Sequence, residues 1–190
     1  MTNKSEVIRR VCEALLLGNK AQAASIARAE YPFEKPPFAG RKYKEFESTR
    51  IFKRDGFLDR YSGERLVFPG ALRLLSQLLP DEFPFHPNWK MTVSHIVYWE
   101  LTPTIDHVVP VARGGLDDET NWVTTSMLRN SAKSNWTLKE LGWTLLPPGD
   151  PRNWDGLTDW FLEYTKNDPV HLQESYIRRW HSAAIRASKT

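Results

Sequence analysis

Between residues 103 and 133 the sequence leaves the backbone few options. A short apolar, β-like run ends in Asp106-His107, and Pro110 with Gly114-Gly115 then forces a loop. Asn121 opens a new segment, and a helix-compatible stretch after it carries Arg129, Asn130 and Lys133. Strand, loop, strand and helix in that order bring a carboxylate, an imidazole and a side-chain amide oxygen together.

Those three groups suit metal-assisted hydrolysis of a phosphodiester. A divalent cation neutralises charge on the phosphate and the leaving oxygen, and hard oxygen ligands such as carboxylate and amide select ions like Mg²⁺. A neutral imidazole beside the metal accepts the proton of the attacking water near neutral pH. Neighbours on an extended strand point to opposite faces, so Asp106 and His107 approach a phosphate from different directions, as in-line displacement requires.

The spacing resembles that of the HNH endonucleases, the ββα-metal nucleases. That family shows Asp/His-His, an Asn fourteen residues later, His or Asn nine further on, and often a Lys soon after. Here Asp106-His107, Asn121, Asn130 and Lys133 stand at those positions, and Pro110 and Gly114-Gly115 match the family loop. The resemblance covers about residues 103–135 and, more weakly, Arg54-Asp55-Gly56 to Gly63. It implies that His107 is the general base and that Asn121 completes the catalytic pair by tying the loop and holding His107 in position. It further implies that Asp106 and Asn130 ligate one Mg²⁺ (or Mn²⁺), while Arg113, Arg129 and Lys133 are looser candidates for gripping phosphate. The implied activity is DNA cleavage at the P–O3′ bond, leaving 5′-phosphate and 3′-hydroxyl ends, in restriction, anti-phage defence or mobile-element nicking.

Two departures from the family pattern stand out. Many members flank the motif with two C-x-x-C pairs that bind structural zinc. Those positions here fall on Asp59, Ser62, Ser126 and Arg129, and the only cysteine is Cys12, so no structural zinc is expected. Packing or polar pairing must then hold the scaffold, and Asp59–Arg129 is the natural ion pair. Second, Gly63 and Asp106 lie 43 positions apart, leaving an insertion at about 70–102 that holds a leucine helix, a Pro/aromatic segment and His95. The insertion reads as added core, or as an element that reads DNA or covers the cleft. His95 reads as a satisfied structural histidine or a further ligand, and His86, His171 and His181 show no partner pattern.

The expected fold class is α+β: a small ββα-metal core with an N-terminal helical hairpin and C-terminal helices. Residues 1–40 form the hairpin and an extended, proline-rich linker, 41–147 the nuclease domain with its insertion, and 148–190 the helices packed on it. Two short strands are expected around Ser62-Gly63, the second through Leu66-Val67-Phe68, and one last helix from Asp168-Pro169 through Leu172, Tyr176, Trp180 and Ala184. At 190 residues, with 41% hydrophobic and 12% aromatic content, the chain buries a core without a disulfide or metal staple. No apolar run reaches membrane-span length, the N-terminal stretch does not read as a signal peptide, and a single cysteine points to a reducing cytoplasm.

Charge is uneven. Residues 1–60 carry thirteen Lys and Arg against eight Asp and Glu, in a chain of net charge +3. Arg41, Lys42, Lys44, Arg50 and Arg54, interleaved with Tyr43, Phe46 and Phe52, read as a phosphate-backbone track or as a solvated helix face whose aromatics pack inward. DNA is the expected partner, and a double-strand cut would call for a homodimer or two sequential nicks. The competing readings are an RNA-cleaving toxin, whose 2′-hydroxyl nucleophile makes metal dispensable, and an inactive DNA-binding module on the same fold.

Overall fold

Two asparagine side chains start the first two helices. Asn3 accepts the Ser5 N–H ahead of α1 (Lys4–Leu16), and Asn19 accepts the Gln22 N–H ahead of α2 (Lys20–Glu30). The chain reverses at Gly18, with Val7, Ala14 and Ala23 buried and Arg10 paired with Glu30. This hairpin belongs to the first of two units, residues 1–40 and 41–190. The structure, a computed structural model, describes residues 3–33 and 43–189. The linker beyond Phe33, Arg41 and Lys42 therefore lie outside the described residues.

The second unit begins with α3 (Glu45–Arg54), where Phe52 packs inward with Ile51 and Thr49, while Phe46 is half-buried beneath Arg186. After it the backbone passes through Asp55-Gly56-Phe57, both Gly56 and Phe57 at positive φ. A side chain at Gly56 would lie 2.4 Å from the Gly149 backbone, so only glycine lets these two segments touch.

The strand pair expected around Ser62-Gly63 does not form; only Leu58 and Arg65 make a bridge. The reason is local: the Asp59 carboxylate takes the N–H groups of Tyr61 and Ser62, which a strand ladder would need. Helix α4 (Pro69–Leu78) follows with Pro69 at its first position. The insertion then runs through a 3₁₀ turn at Met91–Val93 into α5 (Val97–Glu100). Tyr98 and Trp99 of α5 are buried, and Phe85 and Trp89 pack edge-on around them, so this stretch adds core.

Strand β1 (Pro103–His107) pairs antiparallel with β2 (Trp122–Ser126), placing Ile105 opposite Thr124 and His107 opposite Trp122. Helix α6 (Met127–Lys133) starts directly from β2, capped by the Ser126 hydroxyl. A two-stranded sheet is marginal alone. Here its outer edge is closed by two buried carboxylates: Asp55 accepts the Thr124 N–H at 2.7 Å and Asp59 the Ser126 N–H at 2.9 Å. Residues 124 and 126 present their N–H groups on this one edge, and the Thr124 carbonyl on it accepts the Arg60 N–H at 2.9 Å.

A short helix α7 (Leu138–Leu141) follows, capped by Thr137 and Glu140, and then α8 (Thr158–Asn167) and α9 (Ser175–Ala187). The single last helix of the sequence reading is broken. A 3₁₀ turn at Pro169–Gln173 ends at an extended Glu174, whose carboxylate accepts hydrogen bonds from Arg73 and Gln77 of α4. Phe161, Ile177, Trp180 and Ala184 join Phe52, Phe57, Phe68 and Leu72 in one core. The architecture is α+β, and among the described residues no helix is long and apolar enough to cross a membrane.

Candidate active site

Thr104 and Asp106 share one face of β1, and α6 lies across it. Asn130 Nδ2 donates to Thr104 Oγ1 at 3.1 Å and to the Ile105 carbonyl at 3.3 Å. One helical turn on, Lys133 Nζ donates to Asp106 Oδ2 at 2.9 Å and to the His107 carbonyl at 2.7 Å. The matched pairs 104/106 and 130/133 follow from the strand period of two meeting the helix period of three to four.

Asn130's amide can face only one way. The Ile105 carbonyl accepts and never donates, and Thr104 spends its own hydroxyl proton on the Thr125 carbonyl. The nitrogen therefore faces the strand, and Asn130 Oδ1 receives no hydrogen bond among the described residues. Asp106 is similar. Its Oδ2 accepts from Tyr61 Oη at 2.6 Å and from Lys133, while Oδ1 has no donor among the described residues. Burial, then the charge of Asp106, pushes the Tyr61 hydroxyl far above the usual tyrosine range, so it stays a donor.

His107 faces away from α6. Its Nε2 lies 2.7 Å from Asp117 Oδ1, 3.0 Å from the Trp122 indole nitrogen and 3.4 Å from the Tyr43 hydroxyl. A proton on Nε2 satisfies the short contact to Asp117. The Trp122 N–H is aimed at Nε2 itself at 3.0 Å and at the same carboxylate oxygen at 3.3 Å, so only the second contact is a hydrogen bond when Nε2 carries the proton. His107 Nδ1 has no hydrogen-bond partner among the described residues, and in the tautomer with the proton on Nε2 it is the basic nitrogen.

Asn121 ties the loop between the strands. Its Oδ1 accepts the Val109 N–H at 2.9 Å, and its Nδ2 donates to the carbonyls of Val109 at 2.8 Å and Leu116 at 2.7 Å. Gly115 completes the tie, since a Cβ there would lie 1.9 Å from the Val109 carbonyl oxygen. The clamp sets where Asp117 meets His107.

The four positions aligned with the family's zinc pairs carry polar replacements. Asp59 Oδ2 accepts from the Ser126 N–H and the Thr125 hydroxyl, and Arg129 Nε lies 3.5 Å from it. The ion pair read from the sequence is therefore present, although Arg129 makes no side-chain hydrogen bond among the described residues.

The other basic candidates are spread out. Lys133 is fully buried on Asp106 and does not face solvent. Arg113 is exposed near Glu140, and Arg50 pairs with Glu119 at 3.2 Å. Arg54 is bound to Asp55 and to the carbonyls of Glu119 and Trp122, so it braces the scaffold, and Lys44 stands at the start of α3. His95 Nδ1 accepts the Val97 N–H and starts α5. Asp117, Trp122 and Tyr61 escaped the sequence reading as site residues. Only their contacts with His107 and Asp106 identify them, because those contacts join positions far apart in the chain.

No group of three or more His, Cys, Asp or Glu side chains positioned to hold a metal occurs among the described residues. Mg²⁺ asks for less, taking one or two protein oxygens and keeping several waters. The open Oδ1 atoms of Asp106 and Asn130 are oxygens of that kind. No protein-family model, curated protein or solved structure matches the chain.

Proposed function

We propose that this chain is a Mg²⁺- or Mn²⁺-dependent endonuclease of the HNH type that hydrolyses DNA phosphodiester bonds. The observation that carries the reading is the division of labour at the end of β1. Adjacent residues present, on opposite faces, an imidazole whose Nδ1 has no partner and a carboxylate whose Oδ1, like that of Asn130, has no donor among the described residues.

Asp106 and Asn130 would hold the cation. Bound there, it supplies charge neutralisation at the phosphate and the leaving 3′ oxygen. His107 Nδ1 takes the proton of the attacking water, and Asp117 stabilises the imidazolium from the Nε2 side. Asn121 keeps the loop, and with it Asp117, in register with the imidazole. The ammonium of Lys133 holds the Asp106 carboxylate in place. One site cuts one strand per engagement, so a double-strand break takes a second copy or a second nick.

The test is incubation of the purified chain with supercoiled plasmid, single-stranded DNA and RNA in Mg²⁺, Mn²⁺ or EDTA. DNA nicking that needs metal and falls by orders of magnitude in His107→Ala is the expected result. Parent-like cutting by His107→Ala, Asp106→Ala and Asn130→Ala refutes the site. RNA cleavage in EDTA replaces the reading with a ribonuclease, and DNA binding without cleavage replaces it with a binding module.

A further inference from the structure

A cavity of about 410 Å³ opens on the side of α6 turned away from Asn130, lined by Glu64, Glu100, Leu101, Ser126, Leu128, Arg129, Ala132 and Trp143. Its volume lies in the range of small-ligand sites. Its polar groups restrict what can enter.

Arg129 brings five N–H donors to this cavity and uses none in a hydrogen bond among the described residues; Nε is buried without a partner. Its ion pairs are long, 3.5 Å to Asp59 and 3.7 Å to Glu64. Glu100 at the rim has no ion pair among the described residues. An anion would satisfy Arg129 but face two carboxylates, those of Glu64 and Glu100. A cationic side chain would satisfy the glutamates and leave the guanidinium donors unmatched. A neutral, flat group with both acceptors and N–H donors answers both, and Trp143 with Leu101 and Leu128 supplies apolar walls for it. That description fits a nucleobase.

We propose that this cavity binds an extruded nucleobase of the nucleic-acid substrate, with Arg129 donating to its ring acceptors and Glu64 or Glu100 accepting from its N–H groups. That the base belongs to a nucleic-acid substrate rests on the nuclease reading; the binding of a base does not.

The experiment titrates the full chain with free deoxycytidine, deoxyadenosine, deoxyguanosine and thymidine, followed by ligand-observed NMR, with inorganic phosphate and N-acetyl-arginine amide as competitors. Saturable nucleoside binding is expected, weakened at least tenfold by Ala132→Phe, which fills the cavity from an exposed position, and by Trp143→Ala. His107→Ala should bind nucleosides like the parent. Absence of saturable binding, equal binding by both cavity variants, or displacement by either competitor overturns the proposal. A chain that cuts DNA yet binds no nucleoside loses this pocket and keeps its nuclease reading. A chain that binds nucleosides through the cavity but cuts nothing loses the nuclease reading alone.

Discussion

Replacing Lys133 by methionine removes a buried ammonium while keeping most of the side chain's volume. Lys133 is 0% exposed, and its Nζ serves both Asp106 at 2.9 Å and the His107 carbonyl at 2.7 Å. Truncating one partner of a buried ion pair costs about 3–5 kcal/mol, because the other charge is left uncompensated. Asp106 keeps the Tyr61 hydroxyl at 2.6 Å, so the lower end, about 3 kcal/mol, is expected. For a unit of this size that lowers Tm by about 6–12 °C. Urea unfolding should show an earlier midpoint at unchanged slope, marking lost stability rather than a changed denatured state. The double variant Asp106→Asn/Lys133→Met removes both charges and should be more stable than the sum of the single losses by about 1 kcal/mol or more. Mg²⁺ should raise the Tm of Lys133→Met more than that of the parent, since the cation no longer shares Asp106 with an ammonium. A Lys133→Met variant within 1 kcal/mol of the parent, or strictly additive single variants, would refute the reasoning.

Asn121→Ala leaves the Val109 and Leu116 backbone groups without partners; loop amides at 109–116 should exchange hydrogen faster and plasmid nicking should fall at least tenfold, checked by exchange mass spectrometry and the cleavage assay. A double-mutant cycle on Asp59→Ala and Arg129→Ala should find coupling of about 0.5–1 kcal/mol, with Asp59→Ala alone the more damaging because it strips the Ser126 N–H of its acceptor; zero coupling sinks the ion pair. Burial beside Phe161 holds His181 below the usual histidine range. The unfolded chain therefore binds the proton more readily, and this contribution to stability is present above the unfolded-state pKa and lost as pH falls through the folded one. His181→Phe should flatten the decline in Tm between neutral and mildly acidic pH, read by thermal melts.

Much of the candidate site was legible because it depends on local backbone rules. Pro110 and Gly114-Gly115 dictate a loop, with the β-like run ending in Asp106-His107 before it and a new segment opening at Asn121 after it. Where a side chain takes over backbone groups or redirects the chain, from two residues away or from across the fold, the strand and helix patterns do not hold. Asp59 removes the N–H groups that a strand at 61–62 would use, and Glu174 leaves the helical path to meet Arg73 and Gln77.

The amino-acid sequence by itself determined the order of elements around Asp106 and His107, the absence of any cysteine-based scaffold, and the residue types set at each spacing, since these follow from chain-local geometry and side-chain chemistry. Only the tertiary structure decided which nitrogen of His107 is free, which oxygens of Asp106 and Asn130 stay open, and that Lys133 points inward instead of toward solvent. Those outcomes depend on contacts between positions ten to seventy residues apart, such as Asp117 with His107 and Asp55 with Thr124, which no local pattern encodes.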